Sequence, residues 1–199
     1  MMNMSKESTQ KKKEGVMKMK KLIAMMMLVV LCTVAAVAPA SGEQYVYSIS
    51  ARLIEDLATR SGPGTVFTGC GSYRMKGQTV TALSYAYDKG GVLWVEIEFT
   101  YGGAYRRAWT GAKRLNVGAK QLTQLPYDEG GSYLGYGTIK SQATPRFGPG
   151  MMYSPYSGKD FYRGTQVAVI TWMDSFWLVE CQQGGEVFRC WIPDWTLDF

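Results

Sequence analysis

Apolar positions along this chain follow two different patterns. Residues 22–38 are almost continuously apolar and stand behind a polar, lysine-rich stretch at residues 1–21. Beyond Ser41 no segment keeps the 3.6-residue period of an amphipathic helix. Instead, β-branched and aromatic residues gather in short runs at 79–87, 92–99, 166–172 and 177–181, most with glycine nearby. Such runs punctuated by glycine predict strands joined by tight turns, so everything after Ser41 is expected to be all-β.

The first pattern has the layout of a secretory signal peptide: a charged leader, an apolar run, and Ala38-Pro39-Ala40 as a small-x-small cleavage site. Cleavage there leaves Ser41 as the first residue, with Met17 or Met19 as alternative starts. The other reading is an uncleaved anchor, for which 17 apolar residues sit at the lower limit of a membrane span. Cys32 follows Val29-Val30-Leu31, without the small residue that lipid attachment requires.

The second pattern is duplicated. Arg60-Ser61-Gly62-Pro63-Gly64 returns 86 positions later as Arg146-Phe147-Gly148-Pro149-Gly150. Downstream, Gly77-Gln78-Thr79-Val80 matches Gly164-Thr165-Gln166-Val167 at an offset of 87, Val95-Glu96 matches Val179-Glu180 at 84, and Arg107-Ala108-Trp109 matches Arg189-Cys190-Trp191 at 82. The offset changes at Asp88-Lys89-Gly90-Gly91 and Tyr101-Gly102-Gly103, as expected of a repeated unit that diverges in its turns. In each Gly-Pro-Gly the proline fixes φ and the next glycine accepts positive φ, which predicts a type II turn. No helix follows at Thr65-Val66-Phe67, so the motif reads as a corner and not a phosphate loop.

The order Arg-x-Gly-Pro-Gly, Gly-x-x-Val, an aromatic-flanked Val-Glu and a Trp before a polar stretch resembles the bacterial SH3-like (SH3b) domain family, in both copies. The resemblance covers residues 51–115 and 137–199. It departs from the family where a Gly-Trp-Val is common, since Ala108-Trp109-Thr110 and Cys190-Trp191-Ile192 stand there. It implies an all-β protein of two tandem small SH3-like β-barrels, each of about five strands, after the signal peptide at 1–40 and with a linker at 116–136. It also implies a role in recognising the cell wall, while the signal-peptide layout carries the expectation of a secreted or cell-envelope location.

Register follows from the turns. Gly184-Gly185 as a two-residue turn sets Glu180 opposite Arg189, and a four-residue loop over 100–103 sets Glu96 opposite Arg107. Alternation then gives a core face of Val95, Ile97, Phe99 and Ala108, with Trp94, Glu96, Glu98, Tyr105, Arg107 and Trp109 on the other side. In the second copy Trp177, Val179, Cys181, Phe188, Cys190 and Ile192 face the core, and Leu178, Glu180, Arg189 and Trp191 face away. Aromatic rings mixed with a few fixed charges suit a sugar or peptide, so the candidate ligand-binding residues are Trp94, Glu96, Tyr105, Arg107, Trp109, Glu180, Arg189 and Trp191. In the competing reading, Trp109 and Trp191 are covered by the N-terminal segment of their own barrel. Tyr133, Tyr136, Tyr153, Tyr156 and Tyr162 form a second candidate surface.

Composition narrows the chemistry. The 199 residues include no histidine, which removes histidine-assisted nucleophiles and most zinc sites. Glu96 and Glu98 are the one carboxylate pair considered as acid and base, and a cross-strand arginine would hold both ionised. No catalytic residue, metal or cofactor is therefore expected. Seven of the 22 Lys+Arg and two of the 16 Asp+Glu lie in residues 1–40, leaving 15 against 14 in the rest, so nucleic acid is not an expected partner. Export leaves Cys70, Cys181 and Cys190, and the register makes the last two diagonal neighbours, outside disulfide reach. The expectation is a non-enzymatic module that binds cell-wall peptidoglycan or an envelope protein and touches the membrane only through an uncleaved N-terminal segment. The alternative is a structural or protein-interaction component of a secreted or membrane-anchored complex.

Overall fold

The computed structural model describes residues 47–129, 132–183 and 185–199. The candidate signal segment at 1–40 lies outside the described residues. Among the described residues eleven strands follow one another: β1 Ile49–Arg52, β2 Leu57–Arg60, β3 Gly69–Tyr73, β4 Thr79–Tyr87, β5 Leu93–Tyr101, β6 Ala104–Gly111, β7 Gly135–Ile139, β8 Gln166–Met173, β9 Phe176–Gln183, β10 Glu186–Pro193 and β11 Leu197–Asp198. The four runs read as strands become β4, β5, β8 and β9, because β-branched and aromatic side chains pack well on a pleated, half-buried surface.

The strands pair as two antiparallel sheets, ordered β1-β4-β5-β6-β2-β3 and β10-β9-β8-β7-β11. The all-β expectation is met, with one sheet in each half, and among the described residues neither sheet closes into a barrel. The reason lies in the Arg-x-Gly-Pro-Gly strands. β2 meets β6 only at Arg60↔Trp109, and its counterpart meets β10 only at the isolated bridge Arg146↔Trp191. Both then peel away.

The duplication is nonetheless complete in the pairing. β1-β4-β5-β6 is repeated as β7-β8-β9-β10, and a 3₁₀ turn follows each set, at Ala112–Arg114 and Asp194–Thr196. After the turn the chain returns to its first strand, through Leu53↔Leu115 in one half and Ile139↔Leu197 in the other. Gly77 N–H donates to the Leu53 carbonyl and Gly164 N–H to that of Ile139, at 2.8 and 2.7 Å.

Each half has its own core. The first gathers Leu53, Leu57, Val80, Val95, Ile97 and Phe99, and the second Ile139, Phe161, Val167, Val179, Phe188 and Ile192. The linker belongs to the first, for Leu122 at the end of the helical turn Ala119–Leu122 and the nearby Leu125 are both buried there. Each such side chain contributes about 1.5 to 3 kcal/mol of burial, which pins the segment down. Tyr45–Phe199 forms one compact unit, and contacts between its halves create the features described next.

Candidate functional site

The faces predicted for the two hairpins are the faces observed. Val95, Ile97, Phe99 and Ala108 are buried in the first core, and Val179, Cys181, Phe188, Cys190 and Ile192 in the second. Glu180↔Arg189 pair as expected, with Arg189 Nη2 3.0 Å from Glu180 Oε2. The first hairpin corrects the expected register. Its turn is the two-residue Gly102-Gly103, so Glu98 stands opposite Arg107, at 2.7 Å, and Glu96 stands opposite Trp109. The slip is two residues, an even number, so the partner changes while every side chain keeps its face. The repeat offset through the hairpins is thus a constant 82, which aligns Glu98 with Glu180 and Gly102-Gly103 with Gly184-Gly185.

These outer faces pack against each other. Trp109 and Trp191 are 3% and 5% exposed. The space left among Glu96, Arg107, Trp109, Leu178, Arg189 and Trp191 is about 10 Å³, room for one water at most. Of the candidate set, Trp94, Trp109, Arg189 and Trp191 are buried, Glu96, Arg107 and Glu180 are half-buried, and Tyr105 is exposed. The candidate residues do come together, then, but as an interface between the halves in which neither Trp109 nor Trp191 offers a ring plane to solvent. Backbone pairing of Trp109 with Arg60 and of Trp191 with Arg146 also fits the competing reading, in which each ring is covered by its own half.

The Arg-x-Gly-Pro-Gly motif builds this interface reciprocally. Gly64 and Gly150 take positive φ, 125° and 149°, turning the chain onto the opposite half. Thr68 N–H donates to the Val187 carbonyl at 2.8 Å, and Ser154 N–H to that of Tyr105 at 3.0 Å. The arginine of each motif fastens its own loop, through Arg60 Nη1 to the Phe67 carbonyl at 2.6 Å and Arg146 Nη1 to the Tyr153 carbonyl at 2.7 Å. Each loop then delivers one aromatic ring beneath the arginine of the other half, Phe67 under Arg189 at 5.1 Å and Tyr153 under Arg107 at 5.3 Å. Tyr153 also donates its hydroxyl to Glu98, and Tyr133 donates to Glu180 at 2.6 Å. Burial, then these bonds to carboxylates, push both phenols up to about 12. Glu96 accepts from Ser84 at 3.2 Å, and burial raises its carboxyl above the ordinary value against the opposing pull of Arg107.

Open space lies elsewhere. Where β2 splays from β6, a cleft of about 960 Å³ opens between Thr59, Arg60 and Ser72 on one wall and Lys113, Leu115 and Val117 on the other, with Trp94 and Asp88 at its end. Asp88 positions that end by accepting from Gly90 and Val92 N–H through Oδ1, at 2.9 and 3.0 Å, and from Trp94 Nε1 through Oδ2, at 3.0 Å. The Val92 bond first, then that of Trp94, hold its carboxyl below the usual carboxylate range. Thr65, Asp88 and Val92 also border a second arm of about 460 Å³ beside Tyr87, Tyr133 and Arg189. Tyr133, Glu180 and Val187 in turn border a third arm of about 250 Å³ that is also lined by Tyr136 and Gln166. Sequence reasoning placed Tyr133 and Tyr136 on a surface and Trp94 among the candidates. It missed Tyr87, Asp88 and the splayed β2 wall, because Asp88-Lys89-Gly90-Gly91 carries no signal beyond that of a turn. The chain matches no protein-family model and no curated protein.

Proposed function

We propose that the chain is a non-enzymatic binding module exported to the cell envelope, built from two SH3-like halves, and that the cleft holds its ligand, a cell-wall peptide, glycan or envelope protein. The observation that carries this reading is the cleft itself. It has the size of a ligand site, a mainly apolar lining with a few fixed polar groups, and one wall made of the strands β2 and β3. The repeated strand order with its 3₁₀ turn and returning strand supports the SH3-like assignment of each half. The apolar run and small-x-small site at 22–40 support export.

Co-sedimentation of the purified protein with peptidoglycan tests the reading. Retention that is lost in Val92→Glu, which places a charge on an exposed residue of the cleft, is the expected result. Recovery of the wild type in the supernatant favours the interaction-component reading. That alternative has its own observation, since Trp172 and Phe199 are exposed on either side of Trp177, the first paired with it across β8 and β9 and the second 5.2 Å away ring to ring.

A further inference from the structure

We infer that the second and third arms of the cleft take an uncharged glycan strand, a specialisation that rests on the envelope-binding reading above. Three observations converge on it. The first is the supply of aromatic surface. Tyr87, Tyr133 and Tyr136 border these arms and are 48%, 39% and 75% exposed. Tyr133 and Tyr136 stand 6.2 Å apart ring to ring, and Tyr87 ends a file in which Tyr85 is 6.1 Å from it and Tyr127 a further 5.1 Å away. Phenol rings present an apolar face to the C–H face of a pyranose and a hydroxyl to its oxygens.

The second observation is charge. The second arm is bordered by Asp88, Lys89, Glu180 and Arg189, two acids against two bases. Arg189 bonds both Glu180 and Asp128, at 3.0 and 2.9 Å, and both Asp88 oxygens are taken by its own loop and Trp94. These charges are met largely within the protein, which favours a neutral ligand over an ionic one.

The third observation separates a glycan from a peptide. An extended peptide gains most from adding to a free strand edge. At Val187, which borders both arms, β10 is already engaged by the first half: Thr68 N–H donates to its carbonyl, and Val187 N–H donates to Val66 at 3.3 Å. Recognition in these arms thus falls to side chains, and the exposed aromatic rings on offer are the tyrosines.

Titration calorimetry of the purified protein with a β-1,4-linked N-acetylglucosamine oligomer tests this, alongside co-sedimentation with intact peptidoglycan. Binding of the oligomer is expected, weakened roughly two- to tenfold by Tyr87→Ala or Tyr136→Ala. Tyr136→Phe, which keeps the ring, should bind nearly as the wild type does, and Tyr162→Ala, an exposed tyrosine away from the cleft, should not differ from it. Thermal melts of the variants establish that they are folded. No heat with the oligomer at millimolar concentration, or an affinity indifferent to both alanine variants, overturns the inference. Retention on intact peptidoglycan without oligomer binding overturns the glycan assignment and leaves envelope binding standing. Oligomer binding without retention does the reverse.

Discussion

Replacing Gly62 with alanine should destabilise the protein through a single ring. A Cβ at Gly62 would lie 2.3 Å from Cδ1 and 2.4 Å from Cε1 of Phe67, whereas carbon atoms pack at about 3.5 to 4.0 Å. The backbone is not the obstacle, since positive φ belongs to Gly64 and not to Gly62. The ring must therefore move by more than an ångström, and it is confined. Phe67 is buried, lies under the Arg189 guanidinium, and has its carbonyl held by Arg60. Overpacking of this kind costs about 1 to 3 kcal/mol, and a displaced cation–π contact adds about 0.5 to 2, so a loss of about 1.5 to 5 kcal/mol is expected. Phe67→Ala alone should cost about 3 to 5 kcal/mol, but it empties the space that the new Cβ needs. The double variant should then be no less stable than Phe67→Ala. Urea unfolding of the four proteins, followed by tryptophan fluorescence, measures the coupling directly. Gly148 and Tyr153 offer the same cycle in the other half, with the same 2.3 Å approach. Losses that add within about 0.5 kcal/mol would refute the packing reading of the motif.

Other predictions bear on the same interface. Trp109→Ala and Trp191→Ala should each lose about 3 to 5 kcal/mol in a thermal melt, because both rings are buried; an unchanged melting temperature would contradict that placement. In double-mutant cycles, Arg107 should couple to Glu98 by about 0.5 to 3 kcal/mol and less strongly to Glu96, which checks the two-residue turn. Burial raises the Glu96 carboxyl, so its ionisation opposes folding as pH rises above the ordinary glutamate value of 4.5. Glu96→Gln should accordingly be more stable than the wild type at pH 7, with the gain vanishing below about pH 4; a gain that grows on acidification would reverse the sign. Burial pushes the Cys70 and Cys181 thiols up to about 11 and that of Cys190 well above its ordinary value, so a thiol reagent at neutral pH should label the native protein slowly and the urea-unfolded protein at once. The intact mass of the unreduced protein should correspond to free thiols at all three.

What could be read in the sequence was whatever is encoded locally. Strand positions showed in β-branched runs, the repeat in a five-residue motif, and the inward and outward faces in simple alternation. The register of the second hairpin was legible too, because Gly184-Gly185 admits one tight turn. The first hairpin was ambiguous, since Thr100 and Tyr101 can extend the strands or enlarge the loop equally well. Noting that both hairpins carry a Gly-Gly pair at the same offset of 82 would have resolved it.

Sequence alone determined that the chain after Ser41 is a duplicated β unit whose hairpins each carry a tryptophan and an ion pair on the face away from the core. Tertiary structure decided what covers that face. A stripe of Trp, Glu and Arg at alternate positions has the same pattern whether it meets solvent, a ligand or a second stripe like itself, because periodicity reports direction and not contact. Only the folded chain, in which each Gly-Pro-Gly loop carries Phe67 or Tyr153 across to the arginine of the other half, turns two outward faces into an interface. The cleft arises the same way. It exists because β2 leaves β6 after one residue pair, a divergence set by where the loop beyond Gly64 must dock some 120 residues further along the chain, at Val187.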